Sequence, residues 1–366
     1  MKATKILIGA DLVPTSQTAA DFDTGNVDKL FGKVKDVAKE CDRFIVNLEC
    51  ALTESDGAIK KFGPNLKGPI KTANTIKTLG VTDVALANNH VFDFGIKGLR
   101  DTMTALDDAG LPYFGIGEND TDSRRPYFFE EGGKRFAIIN VCEHEYTYAL
   151  PNRIGANPFD PFLTMQDIRA AKKESDFLIV LYHGGKEYCG YPSQRLRNLC
   201  HEMVYCGADA VITQHSHCIG CYETFEGAPI LYGQGNFNFS YPENSARREC
   251  WKTALLVMLT VTDKIDIEFI PIVDTGFGCD IAEGEKKARI LKEFNERNTE
   301  LADGRWLEGW ERFCDGEFKT TYLNAARHTS EHPEKDELFA HYLDCEAHRD
   351  VMMEIFKTYN HTNEKD

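Results

Sequence analysis

The chain has 366 residues, with 42 Lys and Arg against 58 Asp and Glu and a formal net charge of −16. That balance excludes a nonspecific binder of nucleic acid or anionic membranes, which needs a basic face to displace counterions. Hydrophobic residues make up 42% and charged ones 27%, so the chain can bury a sizeable core and is far from a disordered composition.

At the N-terminus, Met1 to Lys5 lead directly into Ile6-Leu7-Ile8, too short an apolar run for a secretion signal. No segment approaches the roughly 20 apolar residues of a membrane helix. A cytoplasmic protein with no stable membrane anchor is therefore expected. The twelve cysteines are scattered and suit a reducing compartment, mostly as small buried hydrophobes.

Ile6 to Ile8 reads as a strand that ends at Gly9-Ala10-Asp11, and Leu30, Phe31, Val34, Val37 and Ala38 follow at helical spacing. The strand Arg43 to Val46 delivers Asn47-Leu48-Glu49. Gly57 to Pro69, rich in glycine, proline and lysine, reads as a loop. A helix over Thr72 to Leu79 leads to the strand Asp83 to Ala87, which delivers Asn88-Asn89-His90. Gly95 to Ala109 is helical and Gly110 stops it, before a short strand at Pro112 to Gly115. Arg135 to Val141 and Phe177 to Tyr182 are continuous apolar runs, as in strands covered on both faces. The second delivers His183-Gly184-Gly185.

Pro192 and Ser193 open a helix with the stripe Leu196, Leu199, Cys200, Met203 and Val204, closed by Gly207. Ala210 to Thr213 is a strand delivering Gln214-His215-Ser216-His217. Ile230 to Tyr232, Thr253 to Val261 and Ile265 to Pro271 are further strands, the last two joined as a hairpin through Asp263-Lys264. Beyond residue 280 the texture is helical, charged and aromatic, with Trp306, Trp310, Phe313, Phe318, Tyr322, Phe339, Tyr342 and Phe356. Asn360 to Asp366 are expected to fray.

The residues just past the predicted strand ends are Asp11, Glu49, Asn89 with His90, His183, and the pair His215 and His217. In open α/β sheets the carboxyl ends of strands form the ligand crevice, so these distant positions can converge there. Singly, each has an ordinary reading: an Asp after a strand as a turn former, a His after an apolar run as a core residue. Jointly they form a mixed oxygen and nitrogen set suited to Zn, Mn, Fe or Co. The set is too large for one tetrahedral ion, and a carboxylate bridging two ions accommodates it. His215 and His217 sit two apart, a spacing that presents both imidazoles to one side of an extended chain.

The motifs Asn47-Leu48-Glu49, Leu86-Ala87-Asn88-Asn89-His90 with Asp93-Phe94-Gly95, His183-Gly184-Gly185-Lys186-Glu187-Tyr188, Gly207-Ala208-Asp209 running to His215-Ser216-His217, and Tyr232-Gly233-Gln234-Gly235-Asn236-Phe237 resemble the CapA family. These are the poly-γ-glutamate capsule synthesis proteins of the calcineurin-like metallophosphatase superfamily. The resemblance covers about residues 5 to 275 and implies an α/β fold, a four-layer α/β/β/α metallophosphatase-like sandwich over residues 1–280. Residues 281–366 form a helical C-terminal extension outside it.

By that resemblance one or two divalent ions (Mn, Zn or Fe) are bridged by Glu49, with Asp11 and His217 on one and Asn89, His183 and His215 on the other. His90 then matches the histidine that protonates the leaving group or steadies the transition state. Two departures stand out: Asp11-Leu12-Val13 lacks the histidine of the superfamily's Asp-x-His, and the bridging acid is Glu49 rather than Asp. Lys186, Glu187, Asn88 and Asn236 are candidates for substrate contact or for supporting the ligands. Lys60, Lys61, Lys67, Lys71, Arg247 and Arg248 fall in or near site-facing loops, where they would hold an anion or simply face solvent. Cys218-x-x-Cys221 lacks a second ligand pair and reads as ordinary thiols.

The expected function is metal-dependent hydrolysis of an amide or phosphoester, in an anionic polymer such as poly-γ-glutamate or a small anionic substrate. The alternative is a non-catalytic, metal-stabilised assembly subunit that binds partners through the aromatic C-terminal helices.

Overall fold

The strand Thr4–Leu12 carries the logic of the architecture, because its alternate residues enter two different cores. Ile6 and Ile8 pack into one hydrophobic cluster and Leu7 into another. The strand Phe177–His183 does the same, with Ile179 and Leu181 on one side and Leu178, Val180 and Tyr182 on the other. A side chain repeat of two buried on both faces requires cover on both faces. The computed structural model describes residues 3–143, 146–242, 249–317, 321–328 and 333–361.

The first sheet runs in the order Cys279–Ile281, Ile265–Asp274, Thr253–Val261, Thr4–Leu12, Arg43–Leu48, Asp83–Ala85, Tyr113–Phe114, and Asn236–Asn238 also pairs with Thr4–Leu12. The second runs Ile219–Phe225, Ala228–Gln234, Ala210–Gln214, Phe177–His183, Lys134–Cys142, Tyr127–Glu131. One core, holding Ile6, Ile8, Ile45, Ile138, Ile179, Leu181 and Ile212, lies between the sheets. The outer face of the first sheet packs on helices that include Thr72–Leu79 and Gly95–Ala109, and that of the second on Pro161–Lys172 and Gln194–Tyr205. The fold is the expected α/β/β/α sandwich.

The central strands are parallel: Thr4–Leu12, Arg43–Leu48 and Asp83–Ala85 in one sheet, and Lys134–Cys142, Phe177–His183 and Ala210–Gln214 in the other. Amide side chains join the two sheets. Gln214 Nε2 donates to the Gly9 carbonyl at 3.1 Å, Gln234 Nε2 to the Ile8 carbonyl at 2.7 Å, and the Ala87 N–H to Asn140 Oδ1 at 2.8 Å.

Several sequence expectations are adjusted. The first strand does not stop at Gly9 but continues through Asp11, because Asp11 pairs with both Asn47 and Asn236 across local register shifts. The run from Leu30 to Ala38 is two short helices, Val27–Phe31 and Val34–Ala38. Gly32 separates them with φ +43°, where an added Cβ would meet the Asp280 carboxylate at 2.4 Å. The helix Pro161–Lys172, started by Pro161 and the Asp160 cap, carries only a weak stripe and escapes pattern reading. Val261 faces Ile265 in the expected hairpin. Ten of the twelve cysteines are buried.

The helices after residue 280 lie against the sandwich. Gly284–Asp303 runs beside the strand Ile219–Phe225, with Arg297 Nε donating to the Gly220 carbonyl at 3.0 Å and Ile290 and Phe294 entering the core between the sheets. Trp306 and Trp310 of Trp306–Glu317 are 2% and 1% exposed and share the outer core of the second sheet with Tyr182, Cys200 and Tyr232. Their rings are therefore held inside the chain and offer no surface. Phe318 and the side chain of Phe356 lie outside the described residues, as do residues 362–366.

Candidate metal centre

The parallel strands bring their carboxyl ends to one edge of the sandwich. Asp11 is the penultimate residue of its strand, Glu49 follows Leu48 directly, and His183 ends the strand Phe177–His183. Asn89 and His90 lie in the turns after Asp83–Ala85. His215 and His217 follow Gln214, but not as alternate residues of a strand. The strand ends at Gln214, and both histidines adopt the left-handed region with φ +86° and +52°. Strain of this kind at two non-glycine residues persists where the surroundings over-determine it. The two rings still meet, 5.8 Å apart, so the pairing arises from a tight bend rather than from β alternation.

Two triads of ligand atoms result, each with its atoms within 4.8 Å of one another: Asp11, Glu49 and His183, and Glu49, His215 and His217. Glu49 belongs to both. It is fully buried, and among the described residues neither carboxylate oxygen takes a hydrogen bond; His183 Nε2 lies 3.3 Å from Oε1. Asn89 joins through Oδ1, 2.9 Å from His183 Nε2. The triads set His183 with Asp11 and His215 with His217, while the His183 and His215 rings, which the resemblance groups together, lie 4.8 Å apart. Asp11 also approaches His217 Nδ1 at 3.6 Å.

The electrostatics suit a cation-binding site. Burial raises the Asp11 carboxyl to about 7, although Asn47 and the His215 N–H pull it down. Burial and then the Asp11 charge push Glu49 well above the carboxylate range. Burial also lowers His217 to about 3 and depresses His215, so both imidazoles are neutral. Neutral imidazoles beside carboxylates that need a positive charge to ionise are the donor set a divalent cation takes. The residues present therefore fit divalent ions.

The supporting residues were only partly anticipated. Asn47 Nδ2 lies 2.7 Å from Asp11 Oδ1 and 3.1 Å from His183 Nδ1, fixing both ligands. Its signal was an amide two residues before Glu49 in an apolar strand, hence on the same face. Asn88 holds Asn47 in turn, donating to its Oδ1 at 3.1 Å and to the Leu48 carbonyl at 2.8 Å. Asn236 Oδ1 sits 2.9 Å from His217 Nδ1. His90 Nδ1 lies 2.6 Å from Asp93 Oδ2, and Lys61, whose side chain is 3% exposed, pairs with Asp93. Lys61, Lys186 and Glu187 line the same cavity of about 220 Å³ as Asn89, His90, His215 and His217. Lys67 instead pairs with Asp56 and Lys71 with Asp23, and Arg247 and Arg248 lie outside the described residues. Cys218 Sγ bonds to the Cys189 carbonyl, and neither Cys218 nor Cys221 joins a metal-ligand group among the described residues.

Residues 5–241 match the family described as bacterial capsule synthesis protein PGA_cap. The chain belongs to this family. It is 31% identical over 221 residues to the capsule biosynthesis protein CapA of Bacillus anthracis, covering 58% of this chain and 54% of that one. To the PGA biosynthesis protein CapA of Bacillus subtilis it is 28% identical over 218 residues, 58% of this chain and 57% of that one. The chain thus spans a little over half the length of these curated relatives.

Among solved structures, a phosphatase from Mycoplasma pneumoniae aligns over 75% of this chain and 94% of its own at 16% identity and TM-score 0.49. A putative 5'-nucleotidase from Staphylococcus aureus aligns over 81% and 58% at 16% identity and TM-score 0.45. The family match stops at residue 241, so the last strands of the first sheet and the C-terminal helices lie beyond it. Among the described residues no helix is long and apolar enough to cross a membrane.

Proposed function

We propose that this member of the capsule synthesis family is a metal-dependent hydrolase, with Glu49 shared between two ion positions. The single observation that carries the reading is Glu49 itself, a fully buried carboxylate common to both ligand triads whose oxygens take no hydrogen bond among the described residues. Such a group is costly unless a cation completes it. One or two ions of Mn, Zn or Fe suit the mixed donors. Bound divalent ions would supply Lewis acidity and an activated water.

The chain's own residues then have definite tasks. Asn47 and Asn236 hold Asp11, His183 and His217 in the geometry of the triads. Asp93 accepts the proton at His90 Nδ1, an arrangement that also satisfies Lys61, and this leaves Nε2 for proton exchange with a leaving group. Burial, and then Lys61, keep the His90 imidazole below its ordinary range, so an anionic substrate is needed to favour its protonated form. Asp93 is thus a positioning residue for His90.

The substrate class is an anionic small molecule or an anionic polymer. The capsule and PGA biosynthesis named for the relatives makes a γ-glutamyl amide the first polymer bond to test, beside a phosphodiester. The reading places the protein in the cytoplasm without a nucleic-acid partner, in keeping with its net charge of −16. The assembly alternative draws no support from Trp306 and Trp310, which are interior.

The test is elemental analysis of the purified protein together with hydrolysis of bis-p-nitrophenyl phosphate and of γ-glutamyl-p-nitroanilide. Bound metal, turnover that chelation abolishes, and loss of both in Glu49→Ala and His215→Ala are expected. Unchanged metal content in both variants overturns the ligand assignment, and a metal-loaded protein that turns over neither probe overturns the hydrolase reading.

A further inference from the structure

The cavity that reaches His215 and His217 of the second triad is bounded partly by residues a hundred positions or more beyond the family match. His341 and Tyr342, from the helix Pro333–Asp344, and His348, from Glu346–His361, line it together with Lys61, Lys186 and the metal-ligand histidines. Phe62, in the loop next to Lys61, meets this segment at the rim, its ring 5.0 Å from His341 and 6.5 Å from Tyr342. The site is therefore incomplete without the C-terminal helices.

The wall is fixed by a buried ionic relay. Asp350, one turn beyond Glu346, accepts from Arg195 Nε at 2.7 Å and from the Ser193 hydroxyl. Arg195 also donates to Glu143, which accepts from Tyr182 at 2.7 Å and from the Gly185 N–H at 2.6 Å. Gly185 opens the loop that carries Lys186 and Glu187 into the cavity. Glu143 packs so closely there that a Cβ on Gly184 would meet its carboxylate at 2.5 Å. One chain of charge-assisted bonds thus ties the C-terminal wall to the loop that follows the ligand His183.

The chemistry of the wall is specific. Besides His90 and the candidate ligands Asn89, His215 and His217, the nitrogen-bearing side chains on the cavity surface among the described residues are those of Lys61, Lys186, Trp251, His341 and His348, against the single carboxylate of Glu187. Lys61 is engaged with Asp93, whereas Lys186 makes no ion pair among the described residues. Apolar residues would pack the rim equally well, so two imidazoles and an ammonium there point to an anion.

We propose that the C-terminal helices supply a second anion subsite: the reacting group of the substrate lies at the metal cluster, and a further anionic group a few bonds away is held by Lys186, His341 and His348. This rests on the hydrolase reading of the metal cluster. The ligand chemistry is a compound with two anionic groups, either a diphosphate or a γ-glutamyl unit with its adjacent carboxylate. His341 and His348 select that substrate, and the chemistry of the reacting bond does not pass through them.

Calorimetric titration of the manganese-loaded full chain tests this with orthophosphate and pyrophosphate, and with 4-aminobutyrate and glutamate, which carry one and two carboxylates. At least one two-anion probe binds about tenfold tighter than its one-anion counterpart, the gain of one charge-assisted hydrogen bond, and the winning pair distinguishes phosphate from carboxylate chemistry. His348→Gln, His341→Gln and, on the separate loop, Lys186→Met erase that preference while orthophosphate binding and metal content stay unchanged. Equal binding of one- and two-anion probes, or a uniform loss for both in all three variants, overturns the subsite and leaves the metal cluster standing. A protein that takes up none of manganese, zinc and iron overturns the hydrolase reading on which the subsite depends.

Discussion

Two groups of buried carboxylates occupy the same end of this molecule and are treated in opposite ways. Asp11 and Glu49 are fully buried with no lysine or arginine bonded to either among the described residues, and burial raises both. Glu143 is equally deep, yet Arg195, the Tyr182 hydroxyl and the Gly185 N–H overcome the effect of burial and hold its carboxyl below the ordinary range. Asp350, sharing Arg195, remains raised by burial. A buried charge must be matched by something. The chain supplies the match for Glu143 from its own residues and leaves the match for Glu49 to come from outside. That difference separates a structural anchor from a ligand site more sharply than residue type does.

The largest expected effect tests the unmatched cluster. Glu49→Gln removes a carboxyl that the metal-free chain can bury only by protonating it, so the metal-free variant is more stable at neutral pH than the metal-free wild type, while it loses bound metal. Thermal unfolding with and without manganese, alongside elemental analysis, measures both. A variant that is destabilised when metal-free would mean that Glu49 is already satisfied within the chain, and the contrast with Glu143 would disappear.

The matched cluster gives the opposite result. Arg195→Met leaves Glu143 and Asp350 buried without their common cation. The expected loss is about 3 kcal/mol, the low end for breaking a buried pair on one side, because the Arg195 side chain keeps 31% of its surface in solvent. Urea denaturation of the metal-free protein reads this directly, and a loss under about 1 kcal/mol would place the pair with ordinary surface bridges.

The pH dependence of stability separates the clusters by sign. The Asp11 carboxyl is raised to about 7 in the folded metal-free chain from a reference of 3.8. Between those values the folded state holds a proton that the unfolded state has released, so the Asp11 contribution falls as pH rises from about 4 to 7. Glu143 is lowered from 4.5, so its contribution is complete above that pH and is lost as pH falls through the depressed value. Each slope is at most one proton, about 1.4 kcal/mol per pH unit. Against the slopes that Glu49 and His217 also contribute, Asp11→Asn shifts the slope between about pH 4 and 7 upward by up to one proton, and Glu143→Gln flattens the acid limb; the same change on both limbs in one variant would show that the two clusters titrate as one.

How far these clusters could be read from the sequence follows from the kind of signal each leaves. The sandwich was legible because Phe177 to Tyr182 and Thr253 to Val261 are long apolar runs, and the candidate ligands because several of them close such runs. Asn47 left a weaker trace, one amide inside a strand. The relay from Glu143 to Arg195 to Asp350 left none, since its members stand 52 and 155 positions apart and each alone reads as a surface charge. Nor was the C-terminal wall visible: His341 and His348 meet the cavity through tertiary packing, and the stripe of Trp306 and Trp310 announces only that those helices are buried on something. Positive φ at His215 and His217 likewise follows from the pocket and not from local preference.

The smallest effect sits where the two regions touch. Phe62 is 45% exposed, and its ring contacts are with His341 and Tyr342. An exposed phenylalanine in a lysine- and glycine-rich loop adds little to stability, so Phe62→Ala should cost about 0.5–1 kcal/mol, the scale of one aromatic pair. Its effect on binding is more telling. If the C-terminal helices are held mainly by Asp350 and Arg195, His341 and His348 keep their places without Phe62, and the preference for a two-anion probe falls less than threefold. If Phe62 is instead what closes the rim, that preference falls as far as in His348→Gln while unfolding barely moves. Measured on one preparation by thermal unfolding and by titration with the one- and two-anion probes, the ratio of the two losses decides whether the wall is positioned from its buried side or from its rim.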